Sequence, residues 1–255
     1  MKRTLESHHR EVLRNLLLGY IQHCEISRNL IGTVERTLEY KGIKYAVPGF
    51  TFYGPPNPSG ETDFVGIIGG RRSGDRTSAE VTLQLIERLI LQPRLAEGLW
   101  LRVLPVLNPI GIERKWTEVS ADKEAEESLR LRCTDGIIEI ASTDRPWPLI
   151  GLHGDRTWTQ AAKTAVEDVN RLYNELGGPA HGQTQISHLP DWAQVGWNLY
   201  IELPRAWSAG QATHYASQYL LSFFRRWQAA KDPLPTFDEP QQKSARTSFH
   251  HALEY

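Results

Sequence analysis

Cysteine is scarce: Cys24 and Cys133 are the only two in 255 residues. That number builds no disulfide framework, and their spacing makes neither a C-x-x-C redox pair nor a zinc knuckle. Both are expected to be buried thiols in a reducing compartment. Charge imbalance is also missing. The formal net charge is −1, so no global basic field points to nucleic acid and no acidic excess points to disorder. No segment reaches the roughly 18 apolar residues that a membrane span needs. The start, MKRTLESHHREVL, is charged and then amphipathic, without the apolar core of a signal peptide. The expected location is the cytoplasm. No serine or cysteine stands in a G-x-S-x-G elbow, and GIIGG lacks the G-x-G-x-x-G spacing of a dinucleotide loop. There is no internal repeat.

What remains is an ordinary globular composition, 40% hydrophobic and 23% charged, long enough to bury a large core. One α/β domain is expected over residues 1–232, with the helix and hairpin of 1–60 packed on it, followed by a polar, proline-containing tail at 233–255. TLESHHREVLRNLLLGYIQHC has the spacing of an amphipathic helix with Thr4 as cap. LIGTVERTLEYKGIKYAVPGFTFYG reads as a hairpin turned at Lys41-Gly42. DFVGIIGG is a short buried strand. Thr77-Ser-Ala-Glu80 has the form of a capping box and opens a helix that ends near Pro93. LWLRVLPVLNP is a second buried strand, and KWTEVSADKEAEESLRLRCTDG reads as a charged surface excursion. IIEIAS and, more strongly, WPLIGLHGD are strand candidates. TWTQAAKTAVEDVNRLYNELGG is a helix with a glycine stop, WNLYIELP a strand, and SAGQATHYASQYLLSFFRRW a helix.

Strands alternating with helices imply a largely parallel sheet covered on both faces. Ligands in such sheets sit beyond the carboxyl ends of the strands. Those ends are expected at Gly69-Gly70, Asn108-Pro109, His153-Gly154 and Glu202-Leu203.

Taken together and in order, GGRRSGD, PVLNPIGIERK, LIGLHGD and YIELP resemble the zinc carboxypeptidase family, especially the compact branch of succinylglutamate desuccinylase, aspartoacylase and related deacylases. The similarity runs from about Asp63 to Trp227. It implies a three-layer α/β sandwich with a central mixed sheet, and a zinc-dependent hydrolysis of an amide bond next to a carboxylate. By position, His153 matches the third zinc ligand and Glu202 the general base. Arg114 matches a substrate-facing arginine that binds a carboxylate or a developing oxyanion. Asn108 joins the binding set.

The opening motif departs from the family pattern GG-x-H-G-D-E. Arg72 stands at the first histidine and Asp75 at the glutamate. A guanidinium stays protonated and binds no metal at neutral pH. The D-L-N-R segment of the family is also missing after the NP strand. Asp168-Val-Asn-Arg171 looks like it but lies inside an expected helix. HGDR at His153–Arg156 looks like a copy of H-G-D-E, out of chain order.

Two readings follow. In the first, the site is degenerate: a pseudoenzyme pocket with a fixed cation where zinc would sit, binding a small anionic molecule or a peptide C-terminus through Arg71, Arg72 and Arg114. In the second, the protein is an active carboxypeptidase or N-acyl amino acid deacylase. Its zinc is then held by His153 and Asp75, one ligand short of an ordinary catalytic set, with Glu202 as base. His8-His9 and His250-His251 are expected to be solvated, and His181 and His188 to lie on a loop. Trp147, Trp158, Trp192, Trp197 and Trp207 flank the site segments as core or rim packing, or as an aromatic wall for a ligand.

Overall fold

The structure is a computed structural model and describes residues 16–113, 123–175, 185–188 and 196–231. A helix over residues 16–26, α1, leads into the hairpin of β1 (Leu30–Tyr40) and β2 (Ile43–Tyr53). The start of the expected first helix, with Thr4, lies outside the described residues. The turn between the strands is Lys41-Gly42, with φ of 51° and 75°. That pair of left-handed residues is what a two-residue hairpin turn requires, and glycine is the residue that adopts it without strain.

β3 (Asp63–Ile68), α2 (Arg76–Leu91), β4 (Leu99–Leu104) and the short α3 (Pro109–Glu113) follow. Next come α4 (Lys123–Arg132), β5 (Gly136–Thr143), β6 (Leu149–His153) and α5 (Arg156–Glu175). β7 (Gln185–His188), β8 (Trp197–Pro204) and α6 (Ala209–Lys231) complete the described chain. The strands form one sheet in the order β1-β2-β4-β3-β5-β8-β6-β7. Pairings β3/β4, β3/β5, β5/β8 and β6/β7 are parallel, and β1/β2, β2/β4 and β6/β8 are antiparallel. The expected α/β sandwich on a mixed sheet with a parallel centre is what forms.

Period-two alternation sends Val65, Ile67, Ile138, Ile140, Leu199 and Ile201 to one face, where α2, α5 and α6 close the larger core. Trp158 and Trp197 stack there at 5.2 Å, which makes them core residues. The opposite face carries Ile68 and Ile137 under α4. Two elements, α4 and the segment of His188, correct the sequence reading, and a third, β5, bears out its weaker strand candidate. α4 is a helix rather than a loose excursion, because Ala125 and Leu129 are one turn apart and both buried. β5, the weaker strand candidate, is a fully central strand paired on both sides. His188 belongs to β7, and His181 lies outside the described residues.

Candidate functional site

β3, β5 and β8 run parallel, so their carboxyl ends share one edge of the sheet. The loop from Gly69 to Asp75 leaves β3 at that edge. Its path is set by close approach: a Cβ on Gly69 would fall 2.2 Å from Thr82 Oγ1. Gly69 N–H donates to the Leu104 carbonyl at 2.9 Å, and Gly69 and Gly70 carbonyls accept from Leu107 and Asn108 N–H. The loop is therefore sewn to the β4–α3 connection.

Asp75 is 1% exposed and ends this loop as the N-cap of α2. Its Oδ1 accepts from Ser78 N–H at 3.1 Å, and its Oδ2 accepts from Ser142 N–H, at the end of β5, at 3.0 Å. Ser78 Oγ in turn donates to the Asp75 carbonyl and accepts from Gly70 N–H. The cap is thus Asp75 with Ser78, not Thr77 with Glu80. The expectation that Asp75 presents its carboxylate to a metal is corrected: both oxygens hold backbone N–H groups of two different elements.

Arg72 extends to β8. Its Nη1 donates to the Ser142 carbonyl at 3.2 Å, and its Nη2 donates to Glu202 Oε1 at 3.1 Å and to Tyr200 Oη. Tyr200 Oη donates to the same Glu202 oxygen at 2.9 Å. Tyr200 and Glu202 are two residues apart on β8 and so share a face. Burial pulls the Arg72 pKa down, but Tyr200, Glu202 and Asp75 outweigh it and leave it raised. Burial, reinforced by the hydrogen bond to Glu202, raises the Tyr200 hydroxyl well above its ordinary value against the pull of Arg72. The guanidinium is thus locked in its charged form and the phenol in its neutral one.

Arg71 turns the other way. Its guanidinium bridges Glu139 Oε2 of β5 at 2.8 Å and Glu126 Oε2 of α4 at 3.0 Å. Glu126 also pairs with Arg130 at 2.9 Å. Arg71 therefore ties the loop to two buried acids, where the sequence reading had it facing a ligand. Burial raises the Glu139 pKa above the ordinary carboxylate range, and Arg71 only partly offsets it. Asn108, 1% exposed, accepts from Gly111 N–H at 2.8 Å as the cap of α3; this too is a structural role. Arg114 lies outside the described residues.

His153 is the largest correction. β6 runs antiparallel to β8, with Leu149 opposite Glu202 and His153 opposite Asn198. Four residues of strand separate the histidine from the level of Glu202, about 13 Å at ~3.3 Å per residue. The strand whose end lies between β3 and β8 is β5, and there Ala141, not a histidine, stands directly opposite Glu202. Arg72, Asp75 and Glu202 meet; His153 does not join them.

The residues present do not fit a zinc ion. Arg72 brings a cation to Glu202, Asp75 is committed to backbone donors, and the Ala141 side chain has no donor atom. Among the described residues no group of three or more His, Cys, Asp and Glu has the arrangement to hold a metal. Nor is any helix among them long and apolar enough to cross a membrane.

Sequence reasoning missed Tyr200, Ser142, Glu126 and Glu139. A lone acid inside the apolar run IIEIAS signalled a buried ion pair. Tyr200 was legible as the period-two neighbour of Glu202. Ser142 acts mainly through its backbone, which leaves no side-chain signature.

No family model and no curated protein matches this sequence. Solved structures do. A metallo-carboxypeptidase from Burkholderia cenocepacia superposes with a TM-score of 0.63 at 13% identity, over 86% of this chain and 69% of that one. Carboxypeptidase A from Helicoverpa armigera gives 0.55 at 10% identity, over 88% and 72%. A succinylglutamate desuccinylase/aspartoacylase from Rhodobacter sphaeroides gives 0.51 at 11% identity, over 78% and 66%. The chain thus has the α/β fold of the metallocarboxypeptidases and of the desuccinylase/aspartoacylase enzymes.

Proposed function

We propose that this chain is a carboxypeptidase-fold binding protein. Its pocket holds a small anionic molecule or a peptide C-terminus, and zinc hydrolysis has been lost. The observation that carries the reading is the contact of Arg72 with Glu202, Tyr200 and the Ser142 carbonyl. A base must be free to accept a proton from water; the Glu202 oxygen that faces Arg72, Oε1, instead accepts from its guanidinium and from the Tyr200 phenol. A guanidinium supplies fixed positive charge and a planar fork of donors suited to oxyanions. It does not lower the pKa of water as a divalent metal does. The residues that would bind and orient an anion are Arg72 and its neighbours at the ends of β5 and β8.

Two measurements test this. Calorimetric titration with N-acetylleucine, as a carboxylate probe, is expected to show saturable binding that Arg72→Ala weakens. Metal analysis after reconstitution is expected to find zinc well below one equivalent. Arg72→His with Asp75→Glu is expected to remain a poor zinc binder, and adding Ala141→His to raise zinc affinity clearly. Near-stoichiometric zinc in the unaltered protein, with hydrolysis of an N-acyl amino acid, would overturn the reading.

A further inference from the structure

Resting on that reading, we propose that the carboxylate-bearing ligand of this edge is a free α-amino acid, bound as its zwitterion with the carboxylate on Arg72 and the ammonium on Glu202. The two side chains are in contact: Arg72 Nη2 donates to Glu202 Oε1 at 3.1 Å. Oε1 also accepts from Tyr200 Oη, so its acceptor capacity is taken. Oε2 accepts no hydrogen bond among the described residues. It is not one of the buried polar atoms left without a partner, so this oxygen reaches solvent although Glu202 is 8% exposed. Across the contact, Arg72 Nη1 and Nη2 are engaged, Nε donates to no acceptor among the described residues, and the arginine side chain is 47% exposed.

The open donor and the open acceptor therefore flank one contact. Nε and Oε2 are each a single carbon removed from the atoms that touch. A ligand that uses both must carry its own two charges close together, and an α-amino acid carries them on one carbon. Asp75 does not compete for the ammonium, because its oxygens hold the Ser78 and Ser142 N–H groups.

Charge separates the ligand classes. The guanidinium and the carboxylate sum to zero. A simple anion drawn to Arg72 also lies against Glu202, which cancels much of the attraction. A zwitterion set antiparallel to the pair meets an opposite charge at both ends, each through a charge-assisted hydrogen bond. In a peptide C-terminal residue the nitrogen is an uncharged amide, so a peptide gains the first contact and not the second.

The test is calorimetric titration of the full chain at neutral pH with leucine, N-acetylleucine, leucinamide and ε-aminocaproate. N-acetylleucine lacks the ammonium, leucinamide lacks the carboxylate, and ε-aminocaproate is an isomer of leucine with its two charges at opposite ends. Leucine is expected to bind about tenfold or more tighter than each of the others. Glu202→Gln is expected to bring leucine down to the level of N-acetylleucine, while N-acetylleucine itself binds no worse. If that variant does not fold, the isomer pair on the unaltered protein decides alone. N-acetylleucine binding as tightly as leucine would overturn the zwitterion assignment and leave the anion reading standing. So would ε-aminocaproate matching leucine, since the two charges would then not be read as one pair. A leucine preference unchanged by Glu202→Gln would overturn the role of Glu202 and with it the assignment. Binding of neither leucine nor N-acetylleucine at millimolar concentration would overturn both readings.

Discussion

Asp75 has two carboxylate oxygens, and the fold uses both. One caps α2 through Ser78 N–H and the other holds Ser142 N–H at the end of β5. Asp75→Ala removes an N-cap, worth about 0.5–2 kcal/mol, and leaves a buried N–H unsatisfied at about 1–3 kcal/mol. Denaturant unfolding is expected to show a loss of about 2–4 kcal/mol with an unchanged m-value; a loss below about 0.5 kcal/mol would deny the double role. Glu139 gives a second expectation, in pH. Its folded pKa is raised, chiefly by burial. As pH rises through the interval between its unfolded and folded values, the unfolded state sheds the proton first. Folding stability therefore falls across that interval, just above the ordinary carboxylate range. In Glu139→Gln that segment of the stability–pH curve is expected to flatten. An unchanged curve would show that Arg71 fully compensates the burial.

Among the elements, the β3–α2 crossing leaves no spare room. Gly69 has no room for a methyl group, with Thr82 Oγ1 2.2 Å and the Ser78 carbonyl 2.9 Å from where it would sit. Gly42 has φ of 75° but nothing within 4 Å of an added Cβ. Gly42→Ala is expected to cost about 1–2 kcal/mol of left-handed strain. Gly69→Ala meets backbone that cannot yield and is expected to cost clearly more, with loss of the α2 cap. Thermal melts of the two variants separate these cases, and equal losses would contradict the packing account. The hairpin, β3, β4, β8 and the long helices were legible because periodicity and turn chemistry agreed locally. α4 was missed because its charged outer face masked the buried Ala125–Leu129 spacing. The strand order was not legible. WPLIGLHGD reads as a strand in either direction, and only its pairing shows β6 running against β8. That one reversal removes His153 from the site.

Across the whole molecule, the strand-end sequences were enough to reach the carboxypeptidase-like fold, because they carry the turns at the ligand edge. They were not enough to define the site. Of the expected residues Arg72, Asp75 and Glu202 come together and His153 does not, and the rest of the network (Tyr200, Ser142, Glu139, Glu126) comes from neighbours that only the sheet brings together. The result is a charge-balanced edge. Arg71 closes on two buried acids, and Arg72 on Glu202. The fold is that of the metallocarboxypeptidases, and at the shared end of β3, β5 and β8 this chain places hydrogen-bonded, charge-paired side chains.

The most direct measurement of that claim is anomalous diffraction at the zinc edge from crystals grown with excess zinc chloride. The account predicts the Arg72 guanidinium in density against Glu202 and Tyr200, and no anomalous peak between Arg72, Asp75 and Glu202. A strong peak about 2.0–2.2 Å from an Asp75 oxygen, with Arg72 swung aside, would contradict it.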